Sequence, residues 1–133
     1  MGFEHVIPQV TKRIFDREDP FTIYGCNQTR SFCYVDDAVD QIKFVMEHNS
    51  DDMIYNIGSG KELEIKTLVE KMFSVCNYEP NSLNLQIPPQ GSVDRRCPDM
   101  SLLKSKGHYI DSVDIDDGLD ITCNWYMEYY GKL

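Results

Sequence analysis

The arginines of this sequence are the residues best suited to chemistry, because a guanidinium can hold a phosphate through two parallel hydrogen bonds. Arg30 is the only basic residue in the stretch FTIYGCNQTRSFCYVDD, residues 21–37, where its neighbours are mostly apolar or aromatic. Arg95 and Arg96 form a second candidate, after the stretch PPQGSVD. The same residues also fit a simpler interpretation. Arg30 could pair with one of the aspartates that end its stretch, and the other two could be solvated loop charges.

Other signatures of catalysis or cofactor binding are incomplete. A dinucleotide fingerprint needs G-x-G-x-x-G between a strand and a helix, and the GSG at residues 58–60 supplies only its first half. The acidic stretch DSVDIDDGLD has its glycine one position too early for a calcium loop, so we interpret it as a solvated, helix-capping face. No tyrosine is followed four residues later by lysine. We therefore predict no catalytic residue, cofactor ligand or metal ligand in this chain.

The overall charge limits the possible partners. The chain has 13 Lys+Arg against 22 Asp+Glu, a formal net charge of −9. This surplus disfavours broad attraction to nucleic acid or to an anionic membrane. Any phosphate must be held locally, by a few placed cations or by a helix N-terminus. The five cysteines form no C-x-x-C pair, and the N-terminus resembles neither a secretion signal nor a membrane span, so we expect a cytoplasmic protein that binds neither nucleic acid nor membrane.

The elements that must position these residues follow from periodicity and turn signals, and 133 residues suffice for one domain. The predicted helices run from His5 to Asp16, from Asp36 or Asp37 to about His48, around Leu68–Cys76, from Asp99 to Leu103 and from Ile115 to Tyr130. The predicted strands are Phe21–Tyr24, Ser31–Val35, Met53–Ile57, Glu62–Ile65 and the alternating Leu83, Leu85 and Ile87. Strands and helices alternate along the chain, so the predicted fold class is α/β with about four to five helices.

Two helices carry predictions about which face is buried. On the second helix we expect Val39, Ile42 and Met46 to face inward, since they recur at helical spacing. On the last helix we expect one buried side, which comprises Leu119, Thr122, Tyr126 and Tyr129.

Six segments of the chain together resemble a known family. In chain order they are EHVIPQVTKRI, FTIYG, QTRSFCYVDDAVDQI, YNIGSG, RRCPDMS and DDGLD. They resemble the C-terminal, substrate-binding part of an extended short-chain dehydrogenase/reductase, in the NAD-dependent nucleotide-sugar epimerase/dehydratase family. The resemblance implies that residues 1–133 form the small substrate-binding domain of a longer two-domain enzyme. The N-terminal Rossmann half, with its glycine-rich loop and its Tyr-x-x-x-Lys pair, would be missing here.

The resemblance also implies the ligand and the residues that hold it. The ligand would be a nucleotide diphosphate sugar linked to UDP, dTDP or GDP. NAD or NADP would serve the full-length parent, with none bound by this chain. Arg30 matches the family's first phosphate-binding arginine. Arg96 matches the second, and Arg95 is a near-equal candidate because the register there is ambiguous.

Further substrate-binding residues are implied by position. His5 and Val6 begin the first helix, where unpaired N–H groups and the positive end of the dipole favour phosphate. Thr22, Ile23 and Tyr24 match the strand that lies along the nucleotide base. The connection between Tyr24 and Arg30 is about one residue shorter than the family's.

The implied activity is that of the parent enzyme. It is transient oxidation at C4 of the sugar, followed by epimerisation, 4,6-dehydration or decarboxylation, which is isomerase or lyase chemistry common in bacterial polysaccharide biosynthesis. The isolated chain would not be catalytic. The alternatives are a non-enzymatic interaction or structural domain that keeps the fold without the catalytic half, and a free-standing nucleotide-binding regulator.

The resemblance has one consequence for assembly. The helix at residues 37–47 and the strand at 53–57 would pack against the missing NAD-binding sheet, which leaves their apolar faces uncovered in this chain. We therefore expect a homodimer or a domain-swapped assembly.

Overall fold

A computed structural model describes residues 2–48, 53–108 and 112–132. In this part of the chain it contains five helices and five short strands, which confirms the predicted α/β class. The helices are α1 (Val6–Phe15), α2 (Val35–His48), α3 (Ile65–Val75), α4 (Ser101–Ser105) and α5 (Ile115–Tyr130). The strands are β1 (Phe21–Tyr24), β2 (Thr29–Ser31), β3 (Glu62–Glu64), β4 (Leu83–Gln86) and β5 (Arg95–Arg96). None of the described helices is long and apolar enough to cross a membrane.

The strands form two small sheets. β1 pairs with β4 in parallel, from Phe21 opposite Leu83 to Tyr24 opposite Gln86. The second sheet has the order β3-β2-β5, in which β2 is antiparallel to β3 and parallel to β5. The short link between β1 and β2 therefore joins the two sheets and restricts the position of Arg30 in β2.

The core lies where α1, α3 and α5 pack on one another and α3 covers β1. Phe21 is fully buried, and its ring meets that of Phe73 edge to face at 4.9 Å. The other buried core residues are Ile7, Val10, Ile14, Ile23, Leu68, Val69, Met72, Tyr78, Leu119 and Cys123. This core anchors β1 firmly, and β1 leads directly into the segment that carries Arg30.

The second helix turns the opposite face inward from the one predicted. Val39, Ile42 and Met46 are 45%, 45% and 79% exposed, whereas Asp37 and Gln41 are buried. The physical reason is that both buried side chains are fully engaged, which makes polar burial tolerable. Asp37 accepts hydrogen bonds from the Ser112 hydroxyl and the Val113 N–H. The Gln41 amide accepts from Gly58 N–H at 2.9 Å and donates to Gly58 C=O at 3.0 Å.

Two predicted strands are wrong. The strand predicted at Ser31–Val35 lies earlier, at Thr29–Ser31, because α2 already begins at Val35. Residues 53–57 form no strand, since a β-branched run becomes a strand only where a neighbour completes its hydrogen bonds, and the described residues offer none. Arg95 and Arg96, predicted in a loop, form the short β5 instead.

The last helix has the predicted bounds but a shifted buried face. Its buried residues are Leu119, Cys123, Tyr126 and Tyr130, while Thr122 and Tyr129 are half-buried. The acidic stretch before it caps the helix as expected, because the Asp114 carboxylate accepts from the N–H of Asp116.

A part-buried ion pair fastens the end of α1 to β1. The Arg13 guanidinium donates to both carboxylate oxygens of Glu18 at 2.6 Å and also to the Thr22 C=O, and it lies over the Phe21 ring at 4.3 Å. These charge-assisted bonds from Arg13 lower the pKa of Glu18 from its ordinary value of 4.5. The pair's contribution is therefore present at neutral pH and is lost as the pH falls through the lowered pKa.

We expect Glu18→Gln to reduce the free energy of unfolding by about 1 kcal/mol at pH 7, a value set by the partial exposure of the pair. The difference from wild type should shrink as the pH falls below 4.5. Denaturant unfolding at pH 7, 5 and 3.5 would measure it. The exposed pair of Lys12 and Asp16 gives a control, and Asp16→Asn should have a smaller effect. An equal loss in both variants would contradict this interpretation.

Candidate functional site

Arg30 lies at the centre of β2 and is half-buried. One terminal nitrogen donates to the Thr29 C=O at 2.7 Å and to the Asp94 C=O at 3.5 Å. The other lies 3.3 Å from the Ser92 hydroxyl and 3.4 Å from the Gln28 side-chain oxygen. All four contacts are with uncharged oxygens, so the guanidinium is oriented without being neutralised.

The structural ion pair considered from the sequence does not form. Asp37 instead accepts hydrogen bonds from Ser112 and Val113. In the described part of the chain, no ion pair joins Arg30 to any carboxylate. A half-buried positive charge that lacks a carboxylate, in a chain with 22 acidic residues, is a good candidate for binding an external anion.

The register of β5 with β2 places Arg95 and Arg96 on opposite faces of the sheet. Arg96 is the register partner of Arg30, so their side chains leave the same face of the sheet. Arg95 pairs with Thr29 and belongs to the opposite face. There Arg95 donates twice to one oxygen of Glu62, at 2.7 and 3.0 Å, and Thr29 donates to the other oxygen at 2.8 Å. The hydrogen bonds between Arg95 and Glu62 lower the pKa of the Glu62 carboxyl and raise that of Arg95.

Arg96 is exposed, and within residues 2–48, 53–108 and 112–132 its guanidinium has no hydrogen-bond or ion-pair partner. The structure thus brings Arg30 and Arg96 together on one face and engages Arg95 on the other. This arrangement favours Arg96 over Arg95 as the second anion-binding arginine.

Gln28 connects Arg30 to the loop between β4 and β5. Its side chain is buried, accepts from the Ser92 hydroxyl at 2.8 Å and donates to the Asp94 carboxylate at 3.4 Å. Gly25 makes room for it, since a Cβ at that position would lie 2.6 Å from the Gln28 oxygen. Sequence reasoning did not identify Gln28, and its position two residues before Arg30 was the available signal.

Of the three residues predicted to lie along the nucleotide base, one is buried and the other two are accessible to solvent. Ile23 is 2% exposed and belongs to the core, so only its backbone could contact a ligand. Thr22 and Tyr24 line a cleft of about 370 Å³ together with Gln9 of α1 and Pro89 of the following loop. Tyr24 is 53% exposed, which leaves part of its ring available for packing beside a planar group.

His5 and Val6 lie at the start of α1, as predicted. His5 is the N-cap residue, but its side chain makes no capping bond, and the first turn has no acidic residue. The helix N-terminus therefore keeps its positive end without a competing carboxylate. In the described part of the chain no hydrogen bond or ion pair links either residue to Arg30.

A larger cavity adjoins β2 at Ser31 and was not anticipated from the sequence. It measures about 510 Å³, and its mostly apolar lining includes Ile7, Phe32, Tyr34, Leu63, Ile115 and Leu119. Ser31, the neighbour of Arg30 in β2, also lines it, whereas neither Arg30 nor Arg96 does. The lining residues come from four separate segments, around residues 7, 31–35, 59–63 and 113–122, which no local sequence pattern could have joined.

Comparisons with known proteins identify relatives of this chain. Residues 3–58 match the sequence profile of the NAD dependent epimerase/dehydratase family. Over 129 residues the chain is 30% identical to GDP-L-fucose synthase 1 of Arabidopsis thaliana, a match that covers 93% of this chain and 39% of that protein. Over 127 residues it is 28% identical to a dTDP-glucose 4,6-dehydratase of Streptomyces griseus, with 95% and 38% covered. The chain belongs to the NAD-dependent epimerase/dehydratase family.

Solved structures show how much of a family member the chain represents. A dTDP-glucose 4,6-dehydratase from Streptomyces venezuelae with NAD and TYD bound superposes with a TM-score of 0.85 at 25% identity, over 99% of this chain and 41% of that one. UDP-glucose 4-epimerase from Thermotoga maritima with UDP-glucose gives 0.82 at 24% identity, a likeness of fold. The chain spans about two fifths of the length of the relatives that it matches.

The family's dinucleotide does not fit the residues described. Gly58 and Gly60 lead into the strand β3, whereas a dinucleotide loop must end at a helix N-terminus that faces the pyrophosphate. Among the described residues no three His, Cys, Asp or Glu side chains are grouped closely enough to hold a metal ion.

We expect Gly25→Ala to destabilise the chain more than Gly91→Ala. Both glycines have positive φ, +60° and +82°, so both substitutions carry a backbone cost of about 1–2 kcal/mol. Only at Gly25 would the new methyl group also displace Gln28 and approach Pro88, whereas Gly91 has open space around it. Denaturant unfolding of the two variants would measure the excess, and equal losses would contradict the close approach.

Proposed function

We propose that this chain is the nucleotide-sugar-binding portion of an NAD(P)-dependent epimerase/dehydratase. The observation that carries the proposal is the pair of Arg30 and Arg96, which lie in register on one face of a sheet without a carboxylate partner among the described residues. Two guanidiniums on one face suit a diphosphate, whose two negative charges are separated by one bridging oxygen.

The electrostatics of the chain support a local anion site. With a net charge of −9 the chain as a whole repels anions, so binding must come from short-range, directional bonds. Arg30 is already held by the Thr29 carbonyl and the Gln28 amide, which reduces the entropy that it would lose on binding. Arg96 has no such support and would supply a more mobile second contact.

The relatives point to the same part of the ligand. Their names refer to GDP-L-fucose, dTDP-glucose and UDP-glucose, which differ in both base and sugar. A nucleoside diphosphate is the feature that these molecules share. The proposed arginine pair contacts only that shared feature, so it fits the whole set and does not select among its members.

In the proposed reaction this chain binds and orients the substrate. Arg30 and Arg96 hold the diphosphate, and the cleft of Thr22, Tyr24 and Gln9 receives the base. The sugar then extends away from the arginines, toward a separate NAD-binding domain. NAD(P) would supply the transient oxidation at C4 when bound to that domain, and the isolated chain would turn over nothing.

The exposed face of α2 is consistent with a separate NAD-binding domain that packs against this chain. Val39, Ile42 and Met46 form an apolar stripe on the outside of the described structure. Residues 53–57 lie nearby in sequence and have no strand neighbour in the part of the chain that the structure describes. We propose that both pack against the sheet of the NAD-binding domain.

The proposal is tested by titrating the chain with UDP-, dTDP- and GDP-sugars and observing binding by NMR or calorimetry. We expect weak binding of at least one of them. Arg30→Ala should weaken the affinity by roughly 10- to 100-fold, which corresponds to the free energy of the lost charge-assisted hydrogen bonds. Arg95→Ala removes the same charge from the opposite face and is the matched control. It should change affinity little.

Two outcomes would contradict the proposal. If none of the three sugars binds at millimolar concentration, the chain is not the substrate-binding portion proposed here, and the reading as a structural or interaction domain gains support. If Arg95→Ala weakens binding as much as Arg30→Ala, the arginines act through general charge and not as a directed pair.

A second variant tests the role of Arg30 without removing its side chain. Gln28→Glu would place a carboxylate where the neutral oxygen now lies 3.4 Å from the guanidinium. The internal ion pair would compete with phosphate, so binding should weaken by about tenfold or more. Asn27→Asp adds the same charge at an exposed neighbouring position and should have less effect in the same calorimetric titration.

A further inference from the structure

The outer edge of β4 is a surface that the proposed function does not use. β4 has β1 on one side, and among the described residues no strand lies on its other side. All four residues of β4 are exposed. The outward-pointing N–H and C=O groups of such an edge are ready to pair with another strand.

This edge extends the apolar face of the core. Leu83 and Leu85 are the register partners of Phe21 and Ile23, so their side chains lie on the face that carries the core. Phe21 and Ile23 are buried beneath α3, but Leu83 and Leu85 are 42% and 51% exposed, and Ile87 beyond them is 83% exposed. The helical layer thus stops short of β4 and leaves three apolar side chains in one row.

The charge pattern indicates what could cover this edge. Residues 80–93 form the longest stretch of the sequence without a charged side chain, in a chain with a net charge of −9. Edge strands of soluble proteins commonly carry charges, prolines or bulges that prevent pairing. Residues 83–87 contain neither a charged residue nor a proline. Two copies of an acidic chain repel each other, so a neutral edge is where they can approach at least cost.

We propose that a second copy of this chain adds its own β4 to this edge, antiparallel and about a two-fold axis at Leu85. In that register Leu83 faces the second copy's Ile87, Leu85 faces its own counterpart, and Asn84 faces the second copy's Gln86. Apolar side chains then meet apolar ones on one face, and amides meet amides on the other. Pairing about a two-fold axis uses the same edge on both copies, so the assembly closes at two.

The interface is small, which sets the expected strength. A four-residue strand buries less surface than the interfaces of permanent complexes. Pro88 and Pro89 follow at once and, lacking N–H groups, prevent a longer ladder. We therefore expect a reversible dimer that forms over roughly 10 µM to 1 mM, in the range of transient contacts.

Sedimentation equilibrium of the 133-residue chain across that concentration range tests the proposal, with Leu85→Lys as the disrupting variant. The added charge should lower the association constant by about tenfold or more, because two lysines would meet at the axis. Ile121→Lys is the matched control, since Ile121 is 53% exposed on α5 and Leu85 is 51% exposed. It makes the same charge change away from β4 and should leave the association constant unaltered.

Other outcomes would overturn the proposal. A chain that stays monomeric at 1 mM has no such interface, and association that continues beyond two copies excludes a closed two-fold pair. Val39→Lys separates the proposed edge from the exposed face of α2. If that variant abolishes the dimer and Leu85→Lys does not, the two copies meet through α2. Circular dichroism of each variant establishes that it is folded.

Discussion

The pairing of β2 with β5 is the constraint on which the candidate site depends. It joins two segments that are far apart in sequence, and its register decides which arginine shares a face with Arg30. A shift of one residue would exchange Arg95 and Arg96, because successive side chains of a strand point to opposite faces. In the observed register Arg95 forms an ion pair with Glu62 on the other side of the sheet. The acidic surplus of the chain is thus used to engage one arginine and leave its neighbour accessible.

The surroundings of Arg30 show how a cation can be oriented and still remain available. Carbonyl and amide oxygens fix the guanidinium through directional bonds, while the carboxylates of Asp37 and Asp94 have other partners. Asp37 caps the segment at Ser112 and Val113, and Asp94 accepts from Gln28. Each of these acids would weaken an anion site if it turned toward Arg30. Their engagement elsewhere is therefore as important to the site as the arginines themselves.

Local patterns predicted most of the helices and strands, because helix periodicity and β-branched runs act over a few residues. α5 begins and ends where the sequence indicated, and β1 does as well. The failures occurred where distant residues decide the outcome. The inward face of α2 depends on Gly58 and Val113, which satisfy Gln41 and Asp37, and neither contact is visible from the helix alone. The register of β5 and the large cavity between β2 and α5 likewise required the assembled fold.

The double hydrogen bond between the Gln41 amide and Gly58 has a thermodynamic consequence for the segment before it. The Gln41 side chain bonds to the backbone of Gly58 as a neighbouring strand would. This fixes residues 53–57 only at their C-terminal end. Residues 53–57 are therefore tethered close to α2 while their own main-chain groups have no ladder within the described structure. Residues 53–57 would lose little conformational entropy on joining a sheet, since their position is already restricted. Preorganisation of this kind favours fast and reversible docking over docking that must first order a free strand.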